Sequence, residues 1–486
     1  MVKHTLADIT PILVVLIAVV GVITLVALFT TSSLLLLLTV VGAGILPIIF
    51  IRRPTVFFYI IPILLSVEYR VELGFFSFTL AEISTVLVLT MALLLIWNNR
   101  RIYLKKTETV LLLFIVITSL PSVLLERDTR HALSIYRDLT VPLIFFVGFL
   151  IIDLSQQQIV KLLKLFVLVA TVSAALGIMQ YKTGNYMWTL RPEYIWWLSF
   201  KTDFLRNSTV GQFLGVKNTL ATGLFAMPNN FASYLVIPTV LAFALATLPS
   251  KSRGEKLLWK ASFILLLLAL LFTFSRSSLF TFLASWLFLV WFRKKRRVSL
   301  PSLVMSGGVV LLVIGLVLWS GTLSWDQLGT FKGRGVMFQA GIELLRDHPE
   351  ALLTGGFTEE YRANYYQPQL IHNLPLYAIL QFGLLATSSW LFLVFLELRY
   401  ILIVLHSKDQ DVKFLGLALF GGIATTVFMY AQTTSFIDSV QSSLWLFFWL
   451  GIGVYMGRFT RNDALSQQSI APVCNEIDGE DIISSA

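Results

Sequence analysis

The feature that most constrains this chain is a succession of apolar segments, each near the length needed to cross a bilayer. A spanning helix takes about 20 predominantly apolar residues. Segments of that kind lie near residues 11–29, 33–51, 54–67, 78–97, 108–125, 139–153, 160–180, 229–248, 257–274, 277–292, 303–320, 374–398, 413–430 and 438–457. The third and sixth are short, so the count is twelve to fourteen. Only 13% of the residues are charged and 57% are hydrophobic, whereas a soluble domain is about a quarter charged. The expected fold is an all-α polytopic membrane protein with about 14 (12–14) transmembrane helices and a lipid bilayer as its main partner.

Charge placement orders these segments. The formal net charge is +10, and the cations cluster beside apolar runs. Cytoplasmic turns of membrane proteins carry an excess of Lys and Arg. With the N-terminus inside, that side receives Arg52 and Arg53, Arg100 and Arg101, Lys161 and Lys164, Lys251 and Arg253, the run Arg293–Arg297, and Lys408. The C-terminus, with Arg458 and Arg461, falls on the same side. This pattern makes the charge a topology signal, not a nucleic-acid surface. The single cysteine, Cys474, excludes an internal disulfide framework. The first apolar run is too long for a cleavable signal and reads as the first span.

Two connections on the outer side, residues 181–228 and 321–372, hold about 48 and 52 residues, against the usual limit of about 15. The expected organisation is therefore N-terminal spans over 1–180, a first long loop over 181–228, and spans including a tight hairpin over 229–320. A large outer loop with short amphipathic helices follows over 321–373, then C-terminal spans over 374–459 and a disordered tail over 460–486.

Several outer residues are candidates for chemistry. Arg276, in Phe274-Ser275-Arg276-Ser277-Ser278, sits in a hairpin with almost no loop. An arginine at that depth either snorkels or holds an anion. Arg334, in Gly333-Arg334-Gly335, precedes Met337, Gly341, Leu344 and Leu345 at helical spacing. Placed at the start of that helix, it would join the free N–H groups in favouring an anion. The helix is expected to end near His348-Pro349, with a turn at Gly355-Gly356. In His372-Asn373-Leu374-Pro375, Asn373 is a helix cap and His372 lies at the mouth of a span. A helix N-terminus keeps an imidazole neutral, as a general base requires. The bland readings are a snorkelling arginine, an exposed loop arginine and an interfacial histidine. Trp188, Trp196 and Trp197 either stack on sugars or anchor an interface, and Glu359 and Glu360 are unranked. Asp409-Gln410-Asp411 reads as a solvated turn, and no nucleotide-binding or zinc-protease motif occurs.

These residues resemble the O-antigen ligase and O-antigen polymerase superfamily of bacterial membrane glycan transferases. The resemblance rests on Thr273-Phe274-Ser275-Arg276-Ser277, on Gly333-Arg334, on His348-Pro349 followed by Gly355-Gly356, and on His372-Asn373 with Gly383 ten positions after Asn373. Met227-Pro228-Asn229-Asn230 resembles the family's Pro-Asn element. The resemblance implies a glycan donor on undecaprenyl diphosphate and a glycan or lipid A-core acceptor. It places the large loop on the periplasmic face of the inner membrane, both termini inside, and implies a reaction without metal or cofactor. It assigns His372 as the base and Arg276 and Arg334 to the diphosphate, with Asn373, His348, Asn229 and Asn230 supporting. Where the family often has an arginine before the Pro-Asn element, this chain has Leu220; either Lys217 or Arg206 is the substitute, or that contact is missing. Ala386 stands where the ligase pattern has Gly, Thr or Tyr. A polysaccharide polymerase on the same carrier is the alternative. A lipid-linked-oligosaccharide flippase or transporter is disfavoured, because the informative charges lie in outer loops and not at mid-membrane.

Overall fold

The structure is a computed structural model. It describes residues 58–68, 70–73, 76–99, 106–125, 129–152, 154–184, 220–225, 227–248, 252–294, 328–357, 374–430 and 440–477. These residues form helices, one two-stranded hairpin and the turns between them. In chain order they form α1 (Ile61–Leu65), β1 (Arg70–Leu73), β2 (Phe76–Thr79), α2 (Leu80–Asn99), α3 (Lys106–Leu125), α4 (Thr129–Ile151) and α5 (Gln156–Thr183). There follow α6 (Pro228–Thr247), α7 (Arg253–Phe272), α8 (Arg276–Lys294), α9 (Leu328–Asp347), α10 (Ala351–Thr354), α11 (Leu374–Leu402), α12 (Gln410–Tyr430) and α13 (Val440–Ile477). A 3-10 turn, Ile403–His406, continues α11.

Among the described residues, four helices are long and apolar enough to cross a membrane: Gln156–Thr183, Pro228–Thr247, Pro375–His406 and Gln410–Phe428. Shorter apolar helices cover Leu80–Leu93, Thr109–Leu124 and Ser277–Phe292. The expected spans 11–29, 33–51 and 303–320 lie outside the described residues.

One apolar core joins the helices, and α13 runs through its middle. Residues 444–457 of α13 are all buried, and a helix apolar on every side belongs at the centre of a bundle. Trp449 meets the Phe166 ring of α5 at 4.4 Å. The Tyr455 hydroxyl donates to the Phe149 carbonyl at the end of α4. The start of α5 is fixed by a reciprocal cap: the Gln158 N–H donates to Ser155 Oγ, and the Ser155 N–H to Gln158 Oε1.

Three elements differ from the sequence expectation. The turn near residues 68–77, expected on the outer side, contains a strand pair, with Arg70 opposite Thr79 and Leu73 opposite Phe76; the strands are too short for their alternation to show beside neighbouring spans. The helix around the short apolar run 139–153 begins at Thr129; its first turns carry polar residues such as Arg137 and Asp138, so the apolar run is shorter than the helix. The last helix continues to Ile477 instead of giving way to a disordered tail at 460. A formed span is already a helix nucleus, so extension needs no new nucleation, and residues 458–471 contain neither Gly nor Pro.

Candidate functional site

The turn between α7 and α8 is built from hydroxyls. The Ser275 N–H donates to Thr273 Oγ1 at 3.2 Å, and Ser275 Oγ lies 2.8 Å from Ser278 Oγ. Arg276 is the first residue of α8, so the N–H groups of that helix turn, lacking partners within their own helix, lie beside it. Phe274 adopts φ +54, a left-handed conformation that is disfavoured for a bulky residue and is found mostly where function or tight packing demands it.

A second segment is fastened next to this turn. The Ala221 N–H donates to the Phe272 carbonyl at 3.1 Å. Gln180, near the end of α5, holds the same segment from the other side. Its Oε1 accepts from the Thr222 N–H, the Thr222 hydroxyl and the Gly223 N–H, while its Nε2 donates to the Gly223 carbonyl. The rings of Tyr181 and Phe272 stack at 4.2 Å. The segment's far end reaches the chain two residues ahead of the hairpin: the Glu68 N–H donates to the Leu224 carbonyl at 2.9 Å. Asn230, in the first turn of α6, donates from Nδ2 to the Glu68 carboxylate at 3.4 Å. The Pro-Asn element, the arginine turn and the hairpin base therefore converge on residues 220–225.

Glu68 and Gln180 were not singled out by sequence. Both are almost fully buried, at 8% and 1% exposure. The only sequence signal was a lone acidic or amide residue at the edge of an apolar run.

The loop helix α9 is organised around α11. Ala340 and Leu344 of α9 pack on Leu376, Tyr377 and Leu380 of α11, with Leu345 and Phe357 alongside, in a small core separate from that of the bundle. The helix ends at Asp347, just before His348-Pro349. His348 Nδ1 lies 3.1 Å from Glu350 Oε1, and its ring is 5.1 Å from that of Phe357. The Glu350 carboxyl is held below the usual carboxylate range, first by its own backbone N–H and then by His348.

Gly355 and Gly356 both have positive φ, at 65 and 83, and they dock into a break in α11. Gly383 is non-helical there, at φ 81 and ψ 166. The Gly356 N–H donates to the Gln381 carbonyl and the Phe357 N–H to the Leu380 carbonyl, each at 3.1 Å. Two motifs that the sequence leaves as separate landmarks are thus one contact.

One expected placement is corrected. α9 begins at Leu328, so Arg334 lies in its second turn and not at its start. The free N–H groups of the first turn are some 5 Å or more further along the axis, and the macrodipole effect fades within that turn. The side chains of Arg276 and Arg334, and the whole of Arg206, Lys217, His372 and Asn373, lie outside the described residues. In packing terms Arg276 opens a helix that lies on α12 and α6, while α9 lies on α11.

Taken together, these elements describe a polytopic helical membrane protein with a loop helix clamped to the end of one span. Residues 261–391 match the O-antigen ligase family model, so this part of the chain is similar to that family. The matched segment runs from within α7 to within α11 and contains Arg276, Arg334, His348, His372 and Gly383. A comparison with curated proteins finds no match.

Proposed function

We propose that this chain transfers a glycan from undecaprenyl diphosphate to an acceptor sugar hydroxyl on the outer face of the inner membrane. The observation that carries the reading is the extent of the family match, which brackets the arginine turn, the α9 helix and the docked break of α11. In this reading Arg276 and Arg334, with Lys217 or Arg206, hold the diphosphate. Guanidinium forks fit phosphate oxygens and stabilise the charge that grows on a departing diphosphate. His372 takes the proton of the acceptor hydroxyl as its oxygen attacks the anomeric carbon and the carbon–diphosphate bond breaks. One displacement without a covalent intermediate inverts the anomeric centre. The donor's own diphosphate is the leaving group, so the reaction calls for neither a nucleotide nor a metal.

Contacts at the two ends of α5 support the sidedness. Lys164 pairs with Glu255 at 2.7 Å, joining two segments whose basic clusters mark the cytoplasmic face. Gln180, at the opposite end, holds the segment beside Arg276. The large loop and α9 then belong to the periplasmic side.

A polymerase on the same carrier is the second reading, and Ala386 favours it. That residue occupies the last position of the ligase pattern and is buried against the bundle. A deletion strain complemented with wild type separates the two. Full-length polymer stranded on the carrier lipid in the deletion strain identifies a ligase, and single repeat units identify a polymerase. If His372→Ala and Arg276→Ala both restore a normal glycan profile, the site assignment is wrong.

A further inference from the structure

The segment 220–225 joins two places of opposite electrical character. At one end is the turn into α8, where Arg276 and the N–H groups of the first helical turn favour an anion. At the other is Glu68, a carboxylate on a residue only 8% exposed. Ala221 bonds to the Phe272 carbonyl, and the Leu224 carbonyl accepts from the Glu68 N–H. The three residue steps between them cover at most about 11 Å, so Glu68 and the start of the arginine turn lie within reach of one ligand. Glu68 stands on a firm base. The Ser66 and Tyr234 hydroxyls are hydrogen-bonded, Gln441 Nε2 donates to the Leu65 carbonyl at 3.2 Å, and Tyr234 is one helical turn from Asn230 on α6.

Asn230 Nδ2 lies 3.5 and 3.4 Å from the two carboxylate oxygens of Glu68. That contact fixes which way the amide faces. An ionised carboxylate only accepts, so the NH2 end turns toward it and the carbonyl end turns away. Among the described residues nothing donates to Asn230 Oδ1, and that atom is not one of the buried unpartnered ones. Asn230 is partly exposed. The pair thus presents an open acceptor beside a negative charge, which suits a hydroxyl and repels a phosphate.

We propose that Asn230, oriented by Glu68, forms a sugar-hydroxyl subsite next to the arginine turn, with Asn230 as the contact and Glu68 as its positioning residue. The proposal rests on the glycan-transferase reading above, and it gives Asn230 a role toward sugar in place of one toward diphosphate. A glycan on a diphosphate has the matching polarity: acceptor oxygens at one end and hydroxyl donors at the other. The reaction brings two sugars to that place, so the hydroxyl belongs either to the donor's first sugar or to the acceptor.

The test titrates the full chain in lipid with three probes: carrier-linked glycan isolated from the deletion strain, bare undecaprenyl diphosphate, and core oligosaccharide from the same strain. Glu68→Gln and Asn230→Ala are each expected to weaken binding of one sugar-bearing probe about tenfold, roughly the worth of one hydrogen bond. Binding of bare undecaprenyl diphosphate stays the same or tightens. The double variant loses no more than either single one, because both remove the same contact. A loss confined to the carrier-linked glycan assigns the subsite to the donor, and one confined to the core oligosaccharide assigns it to the acceptor. A pair that is merely structural weakens all three probes together, and that result overturns the proposal. So does unchanged binding of both sugars. Should Glu68→Gln not accumulate, Asn230→Ala, at a partly exposed helix position, decides alone. The readout needs no turnover: a wild type that transfers nothing, yet shows the sugar-specific loss on mutation, sinks the transferase reading and leaves the subsite standing. A wild type that binds no probe overturns both.

Discussion

Gln180 grips Gly223 from both sides: its Oε1 accepts the glycine N–H and its Nε2 donates to the glycine carbonyl, each at 2.9 Å. This bidentate hold, completed by Thr222, ties the segment before α6 to the end of α5 and sets it against the turn that leads into Arg276. Replacing Gln180 with Ala leaves buried N–H groups at Thr222 and Gly223 unsatisfied, at about 1–3 kcal/mol for each orphaned group. Gln180→Ala is expected to lower the thermal unfolding midpoint in detergent by several degrees and to depress turnover with it. Gln180→Glu keeps the acceptor and loses the donor, and should fall between the two.

The strained residue at the arginine turn gives a second prediction. Phe274 holds a left-handed backbone beside Tyr181, with ring centroids 6.4 Å apart. Phe274→Val, β-branched, is expected to cost on the order of 1 kcal/mol beyond the lost ring packing. Phe274→Gly relieves the backbone and should stay within about 1 kcal/mol of wild type. Parallel melts of the two variants test the ordering. Equal destabilisation would mean that the ring, not the backbone, sets the turn.

Arg276 and its substitutes separate charge from shape. Arg276→Lys keeps the cation but loses the planar fork. It is expected to reduce transfer by tenfold or more, roughly the worth of one charge-assisted hydrogen bond. Arg276→Gln should reduce it further. Initial rates at fixed donor read the difference. A lysine variant at full activity would make Arg276 a snorkelling anchor.

The loop beyond α9 has a pH dependence of stated sign. The Glu350 carboxyl is shifted down by its own backbone N–H and by His348. A lowered folded-state pKa means the contribution is present above the ordinary carboxylate value, near 4, and is lost as pH falls through the folded-state value. Protection factors for hydrogen exchange over residues 348–357, corrected for the intrinsic pH dependence of amide exchange, should therefore be flat from neutral pH down to about 5 and fall only in stronger acid. Glu350→Gln should remove that acid step and leave neutral-pH turnover unchanged.

The helices were legible because span length and basic clusters are properties of composition. Each expected span from 78–97 onward, apart from 303–320, coincides with a helix in the described residues. The joints were not. Gly383 sits in a long apolar run interrupted only by Gln381 nearby, and a lone glycine in a helical pattern reads equally as tolerated or as breaking. Gly355-Gly356 was readable as a turn, but its partner across the loop is set by tertiary packing. In the sequence Gly333 and Gly335 read as punctuation before a helix, whereas α9 runs through both from Leu328. Glu68 and Gln180 were overlooked for a related reason: a polar residue at the end of an apolar run is usually interfacial, and only contacts reveal that it is buried.

The most direct measurement of the central claim is glycan transfer by the purified chain, reconstituted in lipid with an undecaprenyl-diphosphate-linked glycan and a glycan acceptor. The account predicts acceptor-dependent release of undecaprenyl diphosphate by the wild type and its loss in His372→Ala and Arg276→Ala. Release at equal rates by all three, or no release by a folded wild type supplied with both ligase-type and polymerase-type acceptors, would contradict it.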